Sequence, residues 1–161
     1  MHPSISAVRG ILQVTTALFE KALGGLDRAA LVRRTVPGGN PVIWIAGHMA
    51  ASRFSMASLL GEPLASPLGP TFAKGAQVPG EADLPEAAQV LAVWRDVSPI
   101  VLDRLAQATA ERLAAPYPRR LPLDDNSVLG AITFLTYHEG YHIGQLALIR
   151  KALGLPGLVD G

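Results

Sequence analysis

Four stretches of the chain repeat their apolar residues at helical spacing, and none alternates as a strand would. The first, residues 4–23, places Val8, Leu12, Thr15, Phe19 and Ala22 on one stripe and stops at Gly24 and Gly25. The second opens at Asn40, a cap residue, with Pro41 at the first helical position, and runs to residue 60 ahead of Gly61 and Pro63. It is apolar nearly all round, which predicts a central place in the core. The third, residues 85–113, spaces Ala88, Leu91, Trp94, Val101, Leu102 and Leu105 on one face, with Pro99 in its middle predicting a kink or a break. The fourth is capped by Asp125 or Asn126 and continues to residue 153, closing at Gly154 before Pro156.

Residues 61–84, between the second and third stretches, are rich in proline and glycine and carry no period. A loop of that length inside a compact domain often serves as a lid or binding segment. Residues 114–124 form a second such crossing. No repeat and no shift of composition divides the chain, so the expected architecture is one all-α domain over residues 1–161, a four-helix bundle with long connections.

Composition narrows the chemistry. Apolar residues make up 49% and charged residues 17%, enough for a folded core, and the net charge is +1 with acids and bases interspersed. A nucleic-acid partner is not expected, because the one tight basic cluster is Arg119 and Arg120 beside Tyr117, which reads as a solvated connection. Without cysteine there is no disulfide framework, thiolate metal site or cysteine nucleophile. The opening residues lack the charged and apolar regions of a signal peptide. The longest apolar run, residues 42–51, is interrupted by Gly47 and His48 and is too short for a bilayer. The expected location is therefore cytoplasmic, with no membrane partner.

Histidine is the informative residue. His2 is terminal and expected to be irrelevant; the other three all fall in predicted helices. His138 and His142, four apart, stand one above the other on a helix face shared with Leu135, Gln145 and Ile149. Two imidazoles buried side by side need partners for their ring nitrogens. His48 lies on the second helix, in line with Trp44 or Ile45, Ser52 and Ser55. A bundle builds metal sites from side chains on facing helices, and an i, i+4 pair with one histidine opposite is such a set. Three neutral imidazoles leave coordination positions open, as in catalytic rather than structural sites. The plainer reading of each histidine is a hydrogen-bonded core residue; what favours a metal is that every non-terminal histidine fits one site.

The string His138-Glu139-Gly140-Tyr141-His142 matches the zinc-protease pattern, with the glutamate as general base. Its context does not. Gln145 and Leu148 stand where an extended motif wants glycine and histidine, and Asp160 is the sole carboxylate after His142. Glu139 is a candidate proton carrier, although it points about 100° away from His138 on a helix and reads equally as an outer carboxylate. Gln145, a turn past His142, is a candidate to line the pocket or orient a ligand. Tyr141 and Trp44 read as core residues, and Arg53 either steers an anionic substrate or sits at the exposed edge of its helix.

Pro41-Val42-Ile43-Trp44-Ile45-Ala46-Gly47-His48 on an early helix and Tyr137-His138-Glu139-Gly140-Tyr141-His142-Ile143-Gly144-Gln145 on a late one resemble the DinB/YfiT-like superfamily of bundle proteins. The resemblance covers nearly the whole chain in length, element order and histidine placement; Ile143 stands where many members carry arginine. It implies a four-helix bundle in which His48, His138 and His142 bind nickel, zinc or a similar divalent ion. It also implies a small-molecule substrate, with some related proteins acting as S-transferases or isomerases that use low-molecular-weight thiols, and a homodimer. The functional readings are accordingly a metal-dependent transferase or hydrolase, or a non-catalytic metal-binding, stress-related or interaction protein.

Overall fold

The computed structural model describes residues 3–35, 37–73 and 75–159, so the expectations for His2 and Asp160 lie outside the described residues. Its helices are α1 (Pro3–Leu23), α2 (Arg28–Val32), α3 (Val42–Leu59), α4 (Ala87–Gln107), α5 (Ala110–Ala114) and α6 (Val128–Ala152). The fold is all-helical, with the four long helices as its frame. α1 and α3 each pack against both α4 and α6, which places α1 and α3 on one diagonal of the bundle.

Two apolar clusters fix the directions of the helices. One gathers the end of α1 (Phe19, Ala22), the start of α3 (Val42, Ile43), the start of α4 (Val90) and the end of α6 (Ile149). The other gathers the opposite ends through Ile5, Leu60, Leu105 and Val128. So α3 and α4, consecutive and adjacent, run the same way, while α1 and α6 run against them. Parallel neighbours cannot be joined by a short turn: α3 alone has 18 residues, about 27 Å of helix. Residues 60–86 are therefore a crossover that returns the chain along the bundle. Phe72 and Leu84 anchor the crossover in the core, and Leu68 and Val78 pack against its surface.

The expected stripe of α1 is buried throughout, and on α3 every residue from Val42 to Ala50 is buried. Other expectations need correction. α4 runs unbroken past Pro99, which is exposed, so water can serve the Arg95 carbonyl that the proline leaves without a helical donor. The break comes at Ala108, after which the Thr109 hydroxyl caps α5 by accepting from Arg112 N. Ala88 is exposed; the inward face of α4 carries Val90, Val93, Trp94, Val97, Val101 and Leu105. Ser127, not Asp125 or Asn126, caps α6 by accepting from Gly130 N. Asn126 instead accepts from Leu121 N and donates to Tyr117 O, closing the preceding loop. Among the described residues no helix is long and apolar enough to cross a membrane.

Candidate metal centre

α3 and α6 bring His48, His138 and His142 together, with one ligand nitrogen from each lying within 4.8 Å of the others. His138 Nε2 is 3.2 Å from His48 Nε2 and 3.0 Å from His142 Nε2. Two nitrogens bound about 2.1 Å from a shared ion, at about 90–110° to each other, stand about 3.0–3.4 Å apart. Both distances fall in that interval.

The outer nitrogens fix which form each ring takes. His48 Nδ1 is 2.7 Å from Phe72 O, and a carbonyl only accepts, so Nδ1 carries the proton and donates it. His142 Nδ1 is 2.7 Å from Gln145 Oε1 and donates there in the same way. Both Nε2 lone pairs then face His138 Nε2, which has at most one proton to offer. At least one contact would be lone pair against lone pair, which a cation at the meeting point relieves. The donor set thus fits a divalent ion of borderline softness, such as zinc or nickel.

Packing restrains the rings further. Trp44 lies nearly parallel to His48, with ring centroids 5.2 Å apart, and its Nε1 donates to Thr71 O. Tyr141 meets the His142 ring edge-on and is exposed rather than a core residue; its hydroxyl accepts from Gln145 Nε2. Gln145 therefore orients His142 through one end of its amide and is itself held at the other. Gln145→Ala is expected to lower zinc affinity about 10–100-fold, the usual cost of losing such an outer partner. Competition against a chelating dye would measure it.

Burial lowers the pKa of His142 from its ordinary 6.5; the hydrogen bond to Gln145 opposes this, and charge on His48 adds to it. The fold thus favours the neutral ring that a metal requires. With the folded value depressed, the unfolded chain takes up a proton first on acidification. The stability contribution is fully present above about pH 6.5 and is lost as pH falls through the folded value. Denaturant midpoints of the metal-free protein should fall over that window, and His142→Ala should flatten the slope.

Glu139 is not at this centre. It is fully buried on the neighbouring face of α6, where its carboxylate accepts from Arg53 Nε at 2.8 Å, from an Arg53 terminal nitrogen at 2.9 Å and from the Thr15 hydroxyl at 2.8 Å. Arg53 is equally buried, so it neither steers anions nor sits at an exposed edge. It also donates to Thr16 Oγ1 and Leu12 O, and its guanidinium lies 3.9 Å from the centre of the Trp94 ring, which stacks on Phe19. A carboxylate held by these donors ties α1, α3 and α6 together.

Two residues escaped the sequence reading. Phe72 belongs to the crossover, yet its carbonyl sets the ring of His48. Gly47 makes room for it: a Cβ there would overlap the Phe72 ring, whose Cζ is 2.9 Å from that position. A glycine beside a histidine within an otherwise apolar helix was the one available signal.

The family model of the DinB superfamily matches residues 11–146, a span that contains all three histidines. No curated protein matches the chain.

Proposed function

The chain belongs to the DinB superfamily, and from that premise we propose that it is a divalent-metal-dependent enzyme whose centre is His48, His138 and His142, acting on a small molecule. The convergence of three ring nitrogens carries this reading. A bound zinc or nickel ion would supply a Lewis acid that lowers the pKa of a thiol or of water. The protein's own part is to hold the three rings in one tautomeric arrangement through Phe72 and Gln145, and to keep His48 and His142 largely from water.

Of the two reaction classes, thiol-dependent S-transfer is favoured over hydrolysis. The metal-ligating cluster among the described residues contains histidines alone, and Glu139, the expected base, is committed to Arg53 and Thr15. A transferase needs no such base once the thiol of a low-molecular-weight cofactor is ionised. The test is consumption of a chromogenic electrophile by zinc- or nickel-loaded protein with and without added thiol. Thiol-dependent turnover that is lost on chelation is expected. Ester hydrolysis without thiol would reverse the choice.

A second reading is a non-catalytic metal-binding protein: two open surface depressions, one lined by residues such as Arg119 and Leu123 and the other by Gly25 and Leu155, lie apart from the histidines. Metal that raises thermal stability, with no turnover by either assay, would support it. We also propose a homodimer, since Ile11 and Val14 on α1 and Tyr137, Tyr141 and Leu148 on α6 leave large apolar side chains exposed.

A further inference from the structure

We propose that the crossover is a working part of the metal centre, with Phe72 as a positioning residue, so that metal binding and docking of residues 70–73 favour each other. The inference rests on the metal reading above and adds to it a coupling between the site and a segment remote in sequence.

Three observations made at one turn of α3 carry it. The Phe72 ring is buried in the space that Gly47 leaves by lacking a Cβ. Phe72 O takes the Nδ1 proton of His48, and this is what turns the Nε2 lone pair toward His138. Trp44, one turn before His48, stacks on the same imidazole and donates its Nε1 proton to Thr71 O. The ring of His48 is thus held between a side chain of its own helix and a carbonyl of the crossover. Without the crossover, His48 is free to exchange the proton between its two nitrogens and to turn about its side-chain bonds. Fixing one tautomer and one ring orientation is what outer hydrogen-bond partners contribute to metal affinity.

Linkage makes the effect reciprocal. If the docked crossover raises zinc affinity by some factor, bound zinc raises the docked population over the undocked one by the same factor. Exchange of backbone amides reads that population directly. The amide of Ala73 bonds to Pro70 O and that of Ala76 to Ala73 O, so both report on the short turn that carries Phe72.

The experiment compares hydrogen exchange at Ala73 and Ala76 in the full, untagged chain with and without saturating zinc, together with zinc affinities of variants. Zinc is expected to slow both amides on the order of 10–100-fold, and Phe72→Ala to weaken zinc binding by the same order. Gly47→Ala, which displaces the ring, should weaken binding similarly, yet add little in the Phe72→Ala background, where the ring it strikes is gone. Leu84→Ala, in the same crossover but at a core anchor outside residues 70–73, should reduce stability and leave zinc affinity within about twofold. That control separates positioning from general loosening. If zinc binds but neither amide slows, or if Phe72→Ala binds zinc as tightly as wild type, the coupling is overturned and the metal reading survives. If wild type binds no zinc, both fall together.

Discussion

Removing one histidine of the triad, by His48→Ala on α3 or His142→Ala on α6, is expected to lower zinc affinity at least about 100-fold, beyond the cost of losing an outer partner. Two imidazoles remaining on one helix, or split across two, no longer enclose an ion from three sides. The helical content should stay nearly unchanged. α3 is buried along its whole first half by residues other than His48, and Ile143, Leu146 and Ile149 keep that part of α6 in the core without His142. Isothermal titration with zinc gives the affinity and far-ultraviolet circular dichroism the helix content. A variant that keeps wild-type affinity and a full site would remove that residue from the ligand set.

The second large effect concerns stability. Glu139→Gln leaves Arg53 charged, fully buried and without its carboxylate, and breaking a buried pair in this way costs about 3–5 kcal/mol. Against a total stability of about 5–15 kcal/mol for a domain, that is a large fraction. Arg53 also holds carbonyl and hydroxyl groups of α1, so the loss should spread beyond the pair itself. The expected signature is a lower urea midpoint with zinc stoichiometry unchanged. The double variant Arg53→Met, Glu139→Leu should recover most of the loss, because removing both charges leaves neither one buried alone. Urea melts of the three proteins, each with and without zinc, would decide. A Glu139→Gln protein that keeps its midpoint but stops turning over would return Glu139 to a catalytic role.

The contrast between these residues shows what could be read in the chain. The triad was legible because histidine is rare here: His138 and His142 fall on one face by helical spacing, and His48 was the remaining partner. The general placement of the four long helices followed from the helical spacing of their apolar residues and from the proline and glycine signals near their ends. The Arg53–Glu139 pair was not legible, because it joins residues 86 positions apart and appears only once α3 and α6 are laid side by side. On its own helix Arg53 reads either as an anion-steering residue or as one at an exposed edge, and Glu139 either as a proton carrier or as an outer carboxylate. The crossover was visible as residues 61–84, but its cause was not. Which ends of the helices meet depends on contacts such as Val42 with the core around Val90, and only those contacts make α3 and α4 parallel. The cap of α6 was missed for a local reason. Asp125, Asn126 and Ser127 all suit a helix start, and the choice is made by Asn126 bonding back to Leu121 and Tyr117. Gly130 contributes by lying so close to the Asp125 carbonyl that a Cβ would collide with it. Phe72 left no trace, since a backbone carbonyl is common to every residue.

The centre itself is tested most directly by elemental analysis of untagged protein that has been loaded with zinc and dialysed free of excess. One zinc ion per chain is the predicted result. Protein that retains no metal after reloading would contradict the account.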